Sequence, residues 1–415
     1  MNGFPLSGCR ILLLCGWILA ATGSYSVAVA QIVFRAERTD GAPVLGQMTA
    51  LAMDSITFRD KSGIEIRLPL ENLISLTQQT RDRWQVPAAA GKSWVFLETG
   101  DRLCVEPTSI DETELTAEWN RFSALPPVRL PLEACRGVAL TFPSDPVRQG
   151  LQTAALTGRS QTSDLVVLRN GDRLTGELLG LAENVVKIET SLGEVTPPMR
   201  LVQQIAFNPE LVFVESPRDQ IQTALLSDGS VLKFKAVSAS SLTLTGTLIA
   251  GPSLTLPLEE VQQLSISGGR VLPLSQLPSA RQSVDSFVTT RRLPQRNRNV
   301  LGGPLILRGR PALSGIGVAS GTTLDWQLDG SWDVFQATVG IDDAARGRGS
   351  VRFEVLVDDR SAWRSAELTG LSRPVDVPPV KLTGAEKLTL RVEFAQQGNV
   401  LDYADWSNAV LIRQD

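Results

Sequence analysis

The sequence contains no histidine. That removes Ser-His-Asp nucleophilic catalysis, Cys-His dyads and every histidine-ligated metal centre in one step. Tyrosine is nearly absent, at two, so eight tryptophans carry most of the amphipathic aromatic surface. Positive charge is not in excess: 40 Lys and Arg stand against 44 Asp and Glu, for a net −4. No basic field is present to recruit nucleic acid. After the first 21 residues there is no apolar run long enough to span a bilayer. Hydrolysis between two carboxylates needs a pair about 5–10 Å apart across a cleft. No such pair stands out among the 44 acidic residues, and the chain reads as a non-enzyme.

What is present begins with an export signal. Arg10 precedes an apolar run over residues 11–21, and Ala28-Val29-Ala30 precedes Gln31. This is the charged, apolar and small-residue order of a secretory signal peptide over residues 1–30. A retained N-terminal anchor is the alternative. Cys15 lies inside the apolar run after Leu14, which argues against lipid attachment there. The protein is therefore expected to be exported: periplasmic, at the cell surface or secreted. Such compartments permit disulfides, and only Cys104 and Cys135 remain after cleavage, so a bridge between them is expected. It would stabilise by about 3 kcal/mol in the loop-entropy model. Two buried free thiols are the alternative.

Residues 31–142 and 165–268 carry four copies of one pattern. Each has a turn glycine, strand-like runs and a closing apolar phrase with a late proline. Gly41 to Pro69, Gly100 to Pro131, Gly171 to Pro198 and Gly229 to Pro257 span 28, 31, 27 and 28 positions. Near-constant internal length with variable spacers marks a duplicated unit. Asp-Gly and Asn-Gly favour hairpin turns, and proline marks a strand edge or start because it cannot donate to a ladder. Units of roughly 45 residues with four or five short strands predict small barrels of the SH3-like or Sm-like kind. They loosely resemble barrel repeats of exported bacterial envelope proteins. Units this small bury little core, so neighbours are expected to pack or pair edges. They would act as an interaction platform or as a rigid spacer. Residues 143–164 divide the copies two and two. Residues 269–299 read as a linker with a basic run, Arg291, Arg292, Arg296 and Arg298, that is either a phosphate or acidic-glycan contact or a solvated connector.

The last segment, residues 300–415, alternates apolar and polar positions at Phe335–Val339, Val351–Val357 and Leu388–Phe394, the period of half-buried strands. The fold class is thus all-β: tandem small barrel-like repeats followed by a C-terminal β-sandwich, jelly-roll-like. The segment contains Leu301-Gly302-Gly303-Pro304-Leu305, Gly315-Ile316-Gly317-Val318, Val339-Gly340-Ile341-Asp342-Asp343, Arg348-Gly349-Ser350-Val351-Arg352-Phe353 and Asp402-Tyr403-Ala404-Asp405-Trp406. In order and separation these words resemble the NPCBM family of carbohydrate-binding sandwiches. Ala319 and Tyr403 stand where that family often has histidine.

The resemblance implies a glycan partner, with Asp402, Asp405 and Trp406 as its contacts. The tryptophan would offer a flat face and the carboxylates would accept hydroxyl protons. Trp406 as a core residue with Asp405 as a buried partner is the alternative. Adjacent Asp342 and Asp343 offer oxygens to Ca²⁺, or else satisfy loop amides. A second function class also stands: an envelope scaffold whose sandwich contacts protein instead of sugar.

Overall fold

The computed structural model describes residues 32–79, 90–158, 162–214, 220–279, 281–285, 292–396, 398 and 400–414. The expected signal peptide and Arg291 of the basic run lie outside these residues. The all-β expectation holds throughout the described chain, with one α-helix. No helix among the described residues is long and apolar enough to cross a membrane.

The four sequence copies fold as four units with the same pairing, each five-stranded except unit two, whose second strand is split into Arg102–Leu103 and Val105–Ile110. Unit one comprises Val33–Arg38, Val44–Leu51, Ser55–Arg59, Glu65–Pro69 and Leu73–Gln78. Its first strand pairs with the second and the fifth, the second with the third, and the third with the fourth, all antiparallel. Unit two (residues 94–139), unit three (164–206) and unit four (221–267) repeat this order. A bulge recurs between the second and third strands of each, at Met48/Ala50, Pro107/Ser109, Leu178/Gly180 and Phe234/Ala236. The turn glycines Gly100, Gly171 and Gly229 hold φ of 87°, 94° and 92°, a region closed to most side chains. Each late proline precedes a three-residue 3-10 turn that leads into the last strand.

Spatial pairing does not follow chain order. The last strands of units one and four pair across Leu76 and Leu264, and Leu51 meets Ala239. The last strands of units two and three pair across Val138 and Ile205, and Leu181 meets Ile110. Unit four then joins unit two through Val231 and Arg102. One apolar cluster runs through all four units and includes Phe34, Phe58, Leu115, Ile188 and Phe234. Residues 143–164, expected to be a polar spacer, contain the helix Pro146–Thr157, capped by Asp145, whose carboxylate accepts from Arg148 N at 2.9 Å. Leu156 of this helix is buried over Gly137, where a Cβ would come within 2.9 Å of its side chain.

The expected disulfide is not formed: Cys104 and Cys135 are free and buried. Strand Trp94–Leu97 lies between them, with Leu103 opposite Val95 and Cys135 opposite Leu97. Two strand spacings amount to about 9–10 Å, beyond the roughly 7 Å that a bridge tolerates. The thiols also pack in different apolar clusters. Burial pushes them up to about 11 and about 12 respectively, so both stay protonated.

The C-terminal part is a sandwich of two sheets. The first runs Gln295–Arg296, Gly315–Ala319, Tyr403–Ile412, Val334–Ile341, Val375–Lys381, with Val271–Pro273 also on Tyr403–Ile412. The second runs Arg281–Val284, Thr322–Gln327, Lys387–Phe394, Ser350–Val357, Arg360–Arg364, with Leu368–Thr369 on Ser350–Val357. A small hairpin, Leu305–Leu307 with Arg310–Ala312, accompanies the first sheet. Residues 269–299 are therefore not a linker. They supply three strands of two to four residues each, too short for alternation to show in a sequence. Ile74 of unit one packs with Val271, Val334, Val410 and Ile412, so the sandwich is seated on the units by apolar contact.

Candidate functional site

Strand Tyr403–Ile412 carries most of the residues expected to contact ligand. Its alternation sends Ala404 and Trp406 into the sandwich core, with Asp405 buried between them in sequence and Tyr403 half-buried against the core's edge. Trp406 is 1% exposed. Its ring stands edge-on to Phe353 at 5.1 Å and tilted to Phe335 at 6.5 Å, which is core packing. No ring face is left for a sugar, and the core alternative describes this residue.

Asp405 is 0% exposed. Burial first, and the neighbouring Asp342 charge second, raise its pKa well above the ordinary carboxylate value. Both causes favour the neutral form of Asp405 beside the Asp342 carboxylate. Asp342, also buried, accepts from Asn299 Nδ2 at 3.0 Å and Ala344 N at 2.8 Å on one oxygen, and from Ile306 N at 2.9 Å on the other. Asp343 accepts from Arg308 N at 2.9 Å and Gly309 N at 2.7 Å. The two adjacent carboxylates thus hold the small hairpin by its backbone amides. Amide donors ring these oxygens where a hard cation would need more oxygen ligands, so the arrangement does not fit Ca²⁺. Among the described residues no group of three or more acidic or sulfur side chains is gathered as a metal site.

Asp402 is apart from this node. It accepts from Ser350 N at 2.8 Å, and burial raises its pKa. It ties two loops together and is not open to ligand. Asn299 was missed by sequence reasoning because it lies in the presumed linker. Its amide binds Asp342 and Pro304 O, while its oxygen accepts from Leu301 N and Gly303 N. The glycine-rich turn Leu301-Gly302-Gly303-Pro304 after it was the available signal.

What remains accessible is the end of the strand. Tyr403 sits directly opposite Ala319, so the two positions noted in the sequence are cross-strand neighbours. Both are half-buried, and the Arg292 guanidinium lies 5.5 Å from the centre of the Tyr403 ring. The aromatic ledge, the small alanine beside it and the stacked cation form a shallow polar-aromatic step at the loop end of the sandwich.

Residues 270–412 match the NPCBM/NEW2 domain model, and the match begins where strand Val271–Pro273 begins. A stretch of 110 residues, 26% of this chain, is 30% identical to part of a Renibacterium salmoninarum protein described as an endo-alpha-N-acetylgalactosaminidase. That stretch spans 7% of the relative's length. Among solved structures, the chain is similar to a CBM51 from Clostridium perfringens GH95 in complex with methyl-galactose. The identity is 24% and the TM-score 0.31, over 34% of this chain and 99% of that one. It is also similar to the CBM51-2 and INT domains of Clostridium perfringens ZmpB, solved with GlcNAc. There the identity is 20% and the TM-score 0.32, over 43% of this chain and 38% of that one.

Proposed function

We propose that this is an exported, non-catalytic protein whose C-terminal sandwich binds carbohydrate and is carried on four SH3-like barrels. One observation carries the reading: the NPCBM/NEW2 match over residues 270–412 coincides with a complete two-sheet sandwich. The similarity to a short part of a glycan-processing protein supports it, and its 7% share of that protein gives no ground for transferring hydrolysis. The buried Asp342–Asp405 pair faces no cleft, which supports a binding role over catalysis. The ligand face of this reading is the Tyr403–Ala319–Arg292 step, not Trp406. Export rests on the signal-like residues 1–30.

The second reading, an envelope scaffold that contacts protein, is favoured by the full burial of Trp406 and Asp405 and by Ala319 and Tyr403 at their two positions. A glycan array with the full mature chain, repeated with a chelator, separates the two. Binding that is unchanged by chelation and reduced by Tyr403→Ala supports carbohydrate recognition at this step. A blank array favours the scaffold.

A further inference from the structure

We propose that the loop end of the sandwich selects acidic sugars, those bearing a carboxylate or a sulfate. This rests on the carbohydrate reading above and names its ligand class. Arg346, Arg348 and Arg373 are exposed there and Arg292 is half-exposed. None of the four forms an ion pair among the described residues, whereas Arg352, Arg364 and Arg391 on the second sheet are paired with Glu367, Glu393 and Glu354. The loops that carry them stand against one another. A Cβ on Gly370 would fall 2.4 Å from Arg348 O, and one on Gly349 would fall 2.5 Å from Leu401 O, two residues from Tyr403.

The nearby carboxylates Asp402, Asp343 and Asp285 are outnumbered by the four arginines. Asp402 is buried on Ser350 N, and both oxygens of Asp343 are taken by the Arg308 and Gly309 amides. Asp285 is exposed beside the Gly321 turn, leaving the arginines in excess. A chain of net −4 thus concentrates guanidinium groups without ion pairs around the Tyr403 step. Guanidinium matches carboxylate and sulfate with paired, charge-assisted hydrogen bonds. Leu371, 71% exposed, and Val400, 60% exposed, add apolar surface for the carbon face of a sugar ring.

The test uses the full mature chain on a panel of matched neutral, uronate-bearing, sialylated and sulfated glycans, with R348Q, R373Q and R292Q made singly. All three side chains reach solvent, and unchanged melting confirms intact folding. Acidic members should bind about tenfold more tightly than their neutral counterparts, and each substitution should lose about tenfold on acidic members alone. Raising NaCl from 0.15 M to about 1 M should weaken acidic binding, because exposed charges are screened. Equal binding of neutral and acidic members, or indifference to the substitutions, overturns the inference and leaves the carbohydrate reading standing. A panel with no binding overturns both. The carboxylated and sulfated arms tell the two acid types apart.

Discussion

The four small units and the sandwich are both antiparallel β structure, and they are held together by different means. The units share one apolar cluster and join through their last strands, where buried Leu76 meets Leu264 and Val138 meets Ile205. These contacts are backbone ladders, which need only that the facing side chains be apolar and fit. The sandwich closes a core of its own around Trp326, Phe335, Phe353 and Trp406. It then fixes an irregular hairpin with buried carboxyl groups that accept backbone amides. Ladder joining tolerates sequence change and suits duplication. Carboxyl pinning depends on single residues, so it tolerates substitution less.

The largest expected effect comes from cutting either core. Trp406→Ala and Phe234→Ala should each cost about 3–5 kcal/mol. In chemical denaturation followed by two local probes, Trp406→Ala should move the sandwich transition and leave the units folded. Phe234→Ala should loosen all four units together. A single transition that shifts equally in both variants would erase the distinction between the regions.

The next effect is pH dependence confined to the sandwich. The Asp405 carboxyl has a raised pKa when folded and ionises near the ordinary carboxylate value when unfolded. Its contribution is complete below that value and is lost as pH rises toward the raised folded value, at up to about 1.4 kcal/mol per pH unit. Sandwich stability should therefore fall between mildly acidic and neutral pH. Asp405→Asn removes the titrating group and should flatten the slope. A wild-type sandwich whose stability rises over that window would refute the raised folded pKa of Asp405.

The smallest effect is expected from reagents. Reductant should not shift the melting of the units, since Cys104 and Cys135 are free. A drop of several degrees would mean that a bridge had formed after all.

The duplication was legible in the sequence because the turn glycine and late proline keep nearly constant separation in every copy. The nesting of unit one with four and two with three was not, since edge pairing between apolar strands leaves no motif. Alternation exposed the long sandwich strands, while the short strands around Val271, Arg281 and Gln295 passed for linker. At the candidate site, Tyr403 and Ala319 drew notice as departures from a family pattern. Their facing positions and the Arg292 stack required the fold. Trp406 and Asp405 looked functional because aromatic and acidic residues serve equally well at the surface and in a core, and composition does not separate the two.

The nested pairing also bears on how the chain is made. Synthesis delivers Leu73–Gln78 long before its partner Val261–Ser267 exists. During that interval unit one presents an unpaired ladder edge to every other nascent chain. Units two and three, whose partners are nearer in sequence, can dock first and act as the platform on which the outer pair closes. Stalling translation between residues 206 and 261 should accordingly yield aggregation-prone chains, while release after residue 267 should not.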